Sequence, residues 1–230
     1  MNIAVVCVGD ELLSGDTVNT NAAWLGERLT ERGVTVERTT VVPDRIADIA
    51  RVVNEYRAEY DAVVTTGGLG PTHDDMTMDG VAAAFGRSVE TNEAALEWLD
   101  AEGGYHAADL AAGTADLPVG SEPIHNPEGV APGCVIENVY VLPGVPTEMK
   151  AMFEAIKDDF EGERRHVTEV VVDEPESALV ERFNELQERF GVKVGSYPGE
   201  FVRVKIESTD EAAIEAAEAW LRERADAVEA

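Results

Sequence analysis

Short runs of apolar, often β-branched residues alternate along this chain with longer polar stretches in which apolar residues recur every three or four positions. That is the pattern of a parallel sheet with crossover helices. Residues 3–8 are predicted as a buried first strand. Residues 19–32 follow as a helix with Ala22, Ala23, Leu25, Gly26 and Leu29 on its apolar face and Gly33 at its end, and residues 34–42 form a second strand. Pro43-Asp44 is expected to open a helix carrying Ile46, Ile49, Ala50, Val53 and Tyr56. Residues 61–66 read as a third buried strand that runs into Gly67-Gly68.

Beyond Thr77 the spacing predicts helices over 77–85, 92–101 and 107–115, then a long loop over 118–133 where Gly, Pro and Asn accumulate. Strands over 134–137 and 140–142 lead to Pro143-Gly144 and a helix over 146–160. After a charged segment at 161–165 the order becomes strand, helix, strand, strand, helix (167–172, 177–190, 192–197, 201–207, 211–228). The expected organisation is therefore an α/β domain over 1–162 and a small α+β βαββα domain over 163–230.

Composition narrows the function classes. The chain has 46 Asp and Glu against 18 Lys and Arg, a formal net charge of −28, and only 4 of the cations are Lys. Sequence-blind binding to nucleic acid or an anionic membrane is excluded on that balance, and the Arg preference with acid throughout suits a high-salt cytoplasm. The two cysteines, Cys7 and Cys134, lie in apolar runs, which argues against a disulfide scaffold or zinc site. No run reaches transmembrane length and no signal peptide is evident, so a cytoplasmic protein without membrane or nucleic-acid partners is expected.

Three segments could carry chemistry, and each follows a predicted strand. The first is Gly9-Asp10-Glu11-Leu12 with Gly15, Asn19, Thr20 and Asn21; its plain reading is a turn and a helix cap. The second runs from Thr65 and Thr66 through Gly67, Gly68, Leu69, Gly70, Pro71, Thr72, His73, Asp74 and Asp75 to Thr77. Glycines directly after a buried strand let the backbone approach an anion, although this turn lacks both the Lys of a P-loop and a full dinucleotide fingerprint. Asp74-Asp75 has the look of a metal pair, but at this acid content about nine adjacent acid pairs would arise by chance. Only five occur, so frequency lends the pair no support. The third segment is Pro143, Gly144, Val145, Pro146, Thr147 and Glu148, where Pro146 and Glu148 also suit a first helical turn.

In an open parallel sheet such turns meet at one edge, where ligands bind. No Lys or Arg occurs before Arg28 or between Arg87 and Lys150, so none of the three turns brings a cation. A phosphate there would meet Asp10, Glu11, Asp74 and Asp75, and a divalent ion (Mg, Mn or Co) is the simplest remedy. Those four carboxylates are the candidate metal ligands. An ion bridging a pyrophosphate could also orient a water for attack at phosphorus.

Taken together, GDELLSG with NTN, then TTGGLGPTHDDMT, then LPGVPTEM resemble the molybdopterin-binding (MoaB/Mog-like) domain of CinA-type, competence-damage-inducible proteins. The resemblance spans residues 1–160, and the unit after it is similar to the KH-like domain that follows in those proteins. It implies a three-layer αβα sandwich. The wider superfamily binds molybdopterin, whereas the CinA branch is associated with metal-dependent hydrolysis of the pyrophosphate in ADP-ribose or FAD. By position it implies an acidic catalytic or metal role for Asp10, Asp74 and Asp75. Gly9, Asn19, Asn21, Thr66, Gly67, Gly68, Gly70, Pro71 and Thr72 would line the ligand site, with Pro143, Gly144 and Pro146 on the opposite wall. Asp74 and Leu69 stand where the cofactor-synthesis branch has Arg and Thr, which fits the CinA branch. The amidase domain of longer CinA proteins is expected to be absent from a chain ending at Ala230, and a homodimer or homotrimer is expected.

The remaining candidates have plainer readings. The C-terminal unit lacks the GxxG loop of KH recognition. The stretch 195–199 reads as a hairpin, after which Arg203 and Lys205 project as cations. His73 reads as a solvated loop residue, His106, His125 and His166 lack ligand spacing, and Trp24, Trp98 and Trp220 read as core or interface. Three functions are left: a dinucleotide pyrophosphatase, a molybdopterin binder without turnover, and an assembly protein.

Overall fold

In the computed structural model, residues 1–70, 75–102, 104 and 110–228 are described. The chain divides into two compact units, Met1–Gly162 and Glu163–Ala230. In the first, the elements run β1 (Asn2–Val8), α1 (Asp10–Ser14), α2 (Thr20–Glu31), β2 (Thr35–Val42), α3 (Ile46–Glu59), β3 (Ala62–Thr66), α4 (Thr77–Ala84), β4 (Val89–Thr91), α5 (Glu93–Ala101), β5 (Asp116–Pro118), β6 (Glu122–Ile124), β7 (Gly133–Ile136), β8 (Val139–Leu142) and α6 (Pro146–Ile156).

The main sheet has the order β2-β1-β3-β8-β7-β6. β2, β1, β3 and β8 are parallel, and β7 and β6 continue antiparallel. β1 shows why the run IAVVCV can only be an interior strand. Ala4, Val6 and Val8 enter the core under α3, α4 and α5, while Ile3, Val5 and Cys7 enter the opposite core with Leu25 and Leu29 of α2 and Met149, Met152 and Phe153 of α6. A parallel strand covered by helices on both faces must be apolar at every position, without alternation. The result is the expected three-layer αβα sandwich.

The second unit contains β9 (His166–Val172), α7 (Glu176–Phe190), β10 (Lys193–Tyr197), β11 (Val202–Ser208), α8 (Glu211–Arg222) and β12 (Ala227–Val228). Its antiparallel sheet has the order β10-β11-β9-β12. Leu179 and Leu186 of α7 and Ile214, Ala217, Trp220 and Leu221 of α8 pack on Val170, Val172, Val204 and Ile206. Glu174 fastens the unit: its carboxylate accepts both Arg182 Nη atoms at 2.7 Å and the Asp226 N–H at 2.8 Å.

Several boundaries differ from the sequence reading. Asp10–Ser14 is a short helix rather than a turn. Pro43 and Asp44 precede α3 without belonging to it, because Arg45 is extended and the helix starts at Ile46. The helix from Pro146 ends at Ile156 and is followed by a 3-10 turn, Lys157–Asp159. The stretch read as a loop over 118–133 contains β6, and β4 pairs with β5 in a separate two-stranded ladder. These strands are three residues long, too short for alternation to reveal them. Of the helix expected over 107–115, residues 107–109 lie outside the described residues and 110–115 are not helical. The C-terminal unit gains β12 beyond the expected βαββα order. Among the described residues no helix is long and apolar enough to cross a membrane.

Candidate functional site

The parallel register places β1, β3 and β8 side by side, Cys7 opposite Thr66 and Thr66 opposite Leu142. The three motif turns therefore leave the sheet at one edge, as expected of turns that each follow a parallel strand. They are also joined directly. Gly67 donates its N–H to Leu142 O at 3.1 Å, and Gly9 donates to Val42 O at 3.1 Å.

Two glycines set how closely the turns approach. Gly67 has φ +108, and a Cβ there would lie 2.1 Å from Val8 O. A Cβ on Gly144 would stand 3.2 Å from the Gly67 Cα. No other residue suits both the backbone conformation and the contact at Gly67. Asn21, at the start of α2, ties the assembly from the side: its Nδ2 donates to Gly144 O at 2.7 Å. Its Oδ1 is buried without a protein partner, as are the hydroxyls of Thr65 and Thr77. Buried polar atoms are normally satisfied, so these three retain unused hydrogen-bonding capacity, as Ser121 Oγ and Trp220 Nε1 do outside the turns.

Asn19 has a defined local task, since its Oδ1 accepts the Ala22 N–H at 3.0 Å and caps α2. Thr66 is buried and, with Asn19, Asn21, Glu11, Gly67 and Gly144, lines a small cavity of about 90 Å³. Cys7 lies beneath Asn19 and Thr66. Burial pushes its thiol up against the opposing hydrogen bonds from those side chains, and burial pushes Cys134 up to about 12. Neither thiol is prepared to act as a nucleophile.

Gly68, Gly70 and Asp75 separate two larger clefts. One, of about 430 Å³, is walled by Pro143, Gly144, Val145 and Glu148; the other, of about 300 Å³, by Asp79, Thr114 and Asp116. Asp75 lies against the backbone of Gly70, whose Cβ would sit 2.6 Å from Asp75 Oδ2. Glu148 is held by the buried Asn126, whose Nδ2 donates to it at 2.8 Å. Pro146 is exposed at the first turn of α6. Pro71, Thr72, His73 and Asp74 lie outside the described residues.

The residue that sequence reasoning missed is Asp44. It follows β2, and its Oδ2 accepts the Asp10 N–H at 2.8 Å. Burial raises its pKa above the ordinary range against that hydrogen bond, and the charges of Asp10, Glu11 and Asp75 raise it further. The carboxylates at this edge thus feel one another. Its signal in the sequence is an Asp two residues after a strand, in a Pro-Asp pair that local pattern assigns to a helix start. Arg45, next in sequence, is exposed and pairs with Asp48 at 3.1 Å.

The fit to a divalent ion follows from this donor set. Among the described residues no three His, Cys, Asp or Glu side chains are grouped closely enough to enclose a metal. Magnesium-type ions are commonly held by only one or two carboxylates, with ligand phosphates and waters completing the shell. Asp10 and Asp75, each beside a glycine turn, suit that open type of site, with Asp44 adjoining them.

Comparison with known proteins follows the same division of the chain. Residues 4–161 match the family described as "probable molybdopterin binding domain", and residues 164–229 match "FAD synthase, middle domain". A protein of Aeropyrum pernix is 50% identical over 157 residues, which are 65% of this chain and 59% of that protein. A CinA-like protein of Frankia casuarinae is 43% identical over 167 residues, 67% of this chain and 39% of that one, so the chain spans less than two thirds of either relative. Among solved structures, CinA of Thermoplasma acidophilum, titled as being of unknown function, is similar at 42% identity and a TM-score of 0.63, covering 69% of this chain and 97% of its own.

Proposed function

The chain belongs to the family of molybdopterin-binding (MoaB/Mog-like) domains and is CinA-like, and from that premise we propose that it is a divalent-metal-dependent hydrolase of the diphosphate bond in ADP-ribose or FAD. The observation that carries this reading is the meeting of three glycine turns, none with a Lys or Arg, beside Asp10, Glu11, Asp44 and Asp75. A diphosphate laid on those turns gains backbone dipoles but meets carboxylate charge, and a divalent cation resolves the conflict.

Asp10 and Asp75 would hold the ion, which would supply charge neutralisation at phosphorus, leaving Asp44 beside them outside its shell. The chain's own groups do the rest. Backbone N–H groups of the Gly68–Gly70 turn would face the diphosphate, and Gly144 with Pro143 would form the facing wall. Water adds to one phosphorus, the bridging P–O bond breaks, and AMP leaves with the other phosphate monoester. Asp44, with its raised pKa, is suited to accept the water's proton.

The FAD synthase middle-domain match supports nucleotide handling by the same chain. A second reading, retention of molybdopterin without turnover, is favoured by the family match of residues 4–161. Incubation with ADP-ribose or FAD, with and without cobalt, magnesium or manganese, distinguishes them. AMP release that requires the ion and disappears in Asp75→Ala supports the hydrolase; pterin retention with no AMP under any ion supports the binder. We propose a dimer or trimer in solution, which sedimentation of the purified chain measures.

A further inference from the structure

Half of the chain's 18 Lys and Arg residues fall in residues 163–230. Several of them share one surface. In the C-terminal sheet one face is packed under α7 and α8, and the strand register collects the polar residues on the other. There Tyr197 stands beside Arg203, Gly195 beside Lys205, and Lys193 beside Glu207.

The pieces of this face fit together in a particular way. The ring of Tyr197, 48% exposed, lies across Gly195: a Cβ on Gly195 would be 3.5 Å from both Tyr197 Cε2 and Oη. Arg203 holds its guanidinium carbon 5.1 Å from the ring centre and reaches Glu169 only at 3.9 Å. Lys205 and Lys193 flank Glu207 at 2.5 and 3.8 Å, and with Arg165 they hold its carboxyl below the usual range although burial opposes them. Four cations thus share this face with two carboxylates, Glu169 and Glu207, on a chain whose net charge is −28. An exposed aromatic ring with an Arg guanidinium over it and a Lys nearby has the elements of a base-stacking platform: an Arg–Tyr stack for a heterocycle and donors for its phosphate.

We infer that the Tyr197–Arg203–Lys205 face of the C-terminal sheet is a binding site for a single nucleotide, with the base on Tyr197 and the phosphate on Arg203 and Lys205. A mononucleotide or nucleoside diphosphate fits where a polynucleotide does not. Arg203 and Lys205 are two residues apart on β11, about 7 Å, which is the span of a single nucleotide. A longer polyanion would meet the carboxylates of a chain whose net charge is −28, Glu169 and Glu207 on this face among them. Binding here does not depend on the reading of the N-terminal edge as a hydrolase.

The test is a titration of the isotopically labelled full chain with ADP, in EDTA and at constant salt, followed by amide chemical shifts and calorimetry. Saturable shifts in β10 and β11, weakened about tenfold in Tyr197→Ala and retained in Tyr197→Phe, are expected. Arg203→Ala should weaken ADP binding at this face and reduce its dependence on salt. Three results would overturn the inference: no saturable shift in these strands at millimolar ADP while the protein stays folded; ribose 5-phosphate binding the face as tightly as ADP, meaning anion contact without stacking; or Arg203→Glu dissociating an oligomer with ADP without effect, meaning that the face joins two copies of this chain.

Discussion

Asp44 Oδ2 accepts the backbone N–H of Asp10 at 2.8 Å, which ties the end of β2 to the end of β1 at the edge where the glycine turns meet. The bond serves two purposes that substitutions separate. Asp44→Asn keeps an acceptor for that N–H but removes a charge. It should fold with stability within about 1 kcal/mol of the parent, yet lose ion-dependent AMP release tenfold or more. Asp44→Ala loses both, with a further cost of about 1 kcal/mol. Chemical denaturation and AMP assays on the two variants check this.

The raised pKa of Asp44 also gives a pH effect with a definite sign. The folded state binds this proton more tightly than the unfolded state does. Its contribution is therefore fully present below the ordinary carboxylate pKa and is lost as pH rises through the raised value. A divalent ion favours the charged carboxylate and should reduce that loss. Denaturation midpoints from acid to neutral pH, with and without magnesium, should show a magnesium benefit that grows with pH and is smaller in Asp44→Asn.

Gly67 and Gly15 both have positive φ, at +108 and +82, but differ in their surroundings. A Cβ at Gly67 meets Val8 O, whereas nothing lies within 4 Å of one at Gly15. Gly15→Ala should cost about 1 kcal/mol, from backbone strain alone. Gly67→Ala should cost about 3 kcal/mol or more, since a backbone carbonyl cannot move aside. Thermal melting of the two variants gives the comparison directly.

Asn21 has the opposite problem, a donor in use and an acceptor without a partner. Replacing its Nδ2 with a carboxylate oxygen in Asn21→Asp turns an attraction to Gly144 O into a repulsion. That variant should lose about 2 kcal/mol and raise the KM for any ligand held between the turns, whereas Asn21→Ala should lose about 1 kcal/mol. If Asn21→Asp binds ligand as the parent does, the edge is not where the ligand sits.

In the C-terminal unit, the two Arg182 bonds lower Glu174 to about 2, and the Asp226 N–H adds to this. The folded pKa lies below the unfolded one, so this stabilisation is present above the ordinary carboxylate pKa and is lost as pH falls toward about 2. Glu174→Gln should lower the melting temperature at neutral pH and show a smaller acid-induced loss than the parent.

Much of this architecture can be read from local pattern. β1 and β3 are uninterrupted apolar runs, so their burial on both faces follows from composition alone, and glycines directly after them announce turns with unusual backbone demands. The lack of cations in those turns is likewise a property of the string of residues. Other features depend on which segments become neighbours. Asp44 is an ordinary Asp before a helix until β2 pairs with β1 and brings it to Asp10, 34 positions away. Asn21 reaches Gly144 across 123 positions only because β8 inserts beside β3. β4, β5 and β6 are three residues each and owe their form to partners rather than to periodicity. Tyr197 and Arg203 likewise share a row only through the β10–β11 register. Side-chain periodicity records whether a residue is buried, and that is local; the hydrogen bonds that choose a strand's partner and register are made across the chain, so the tertiary structure alone decided which carboxylates, glycines and cations would meet.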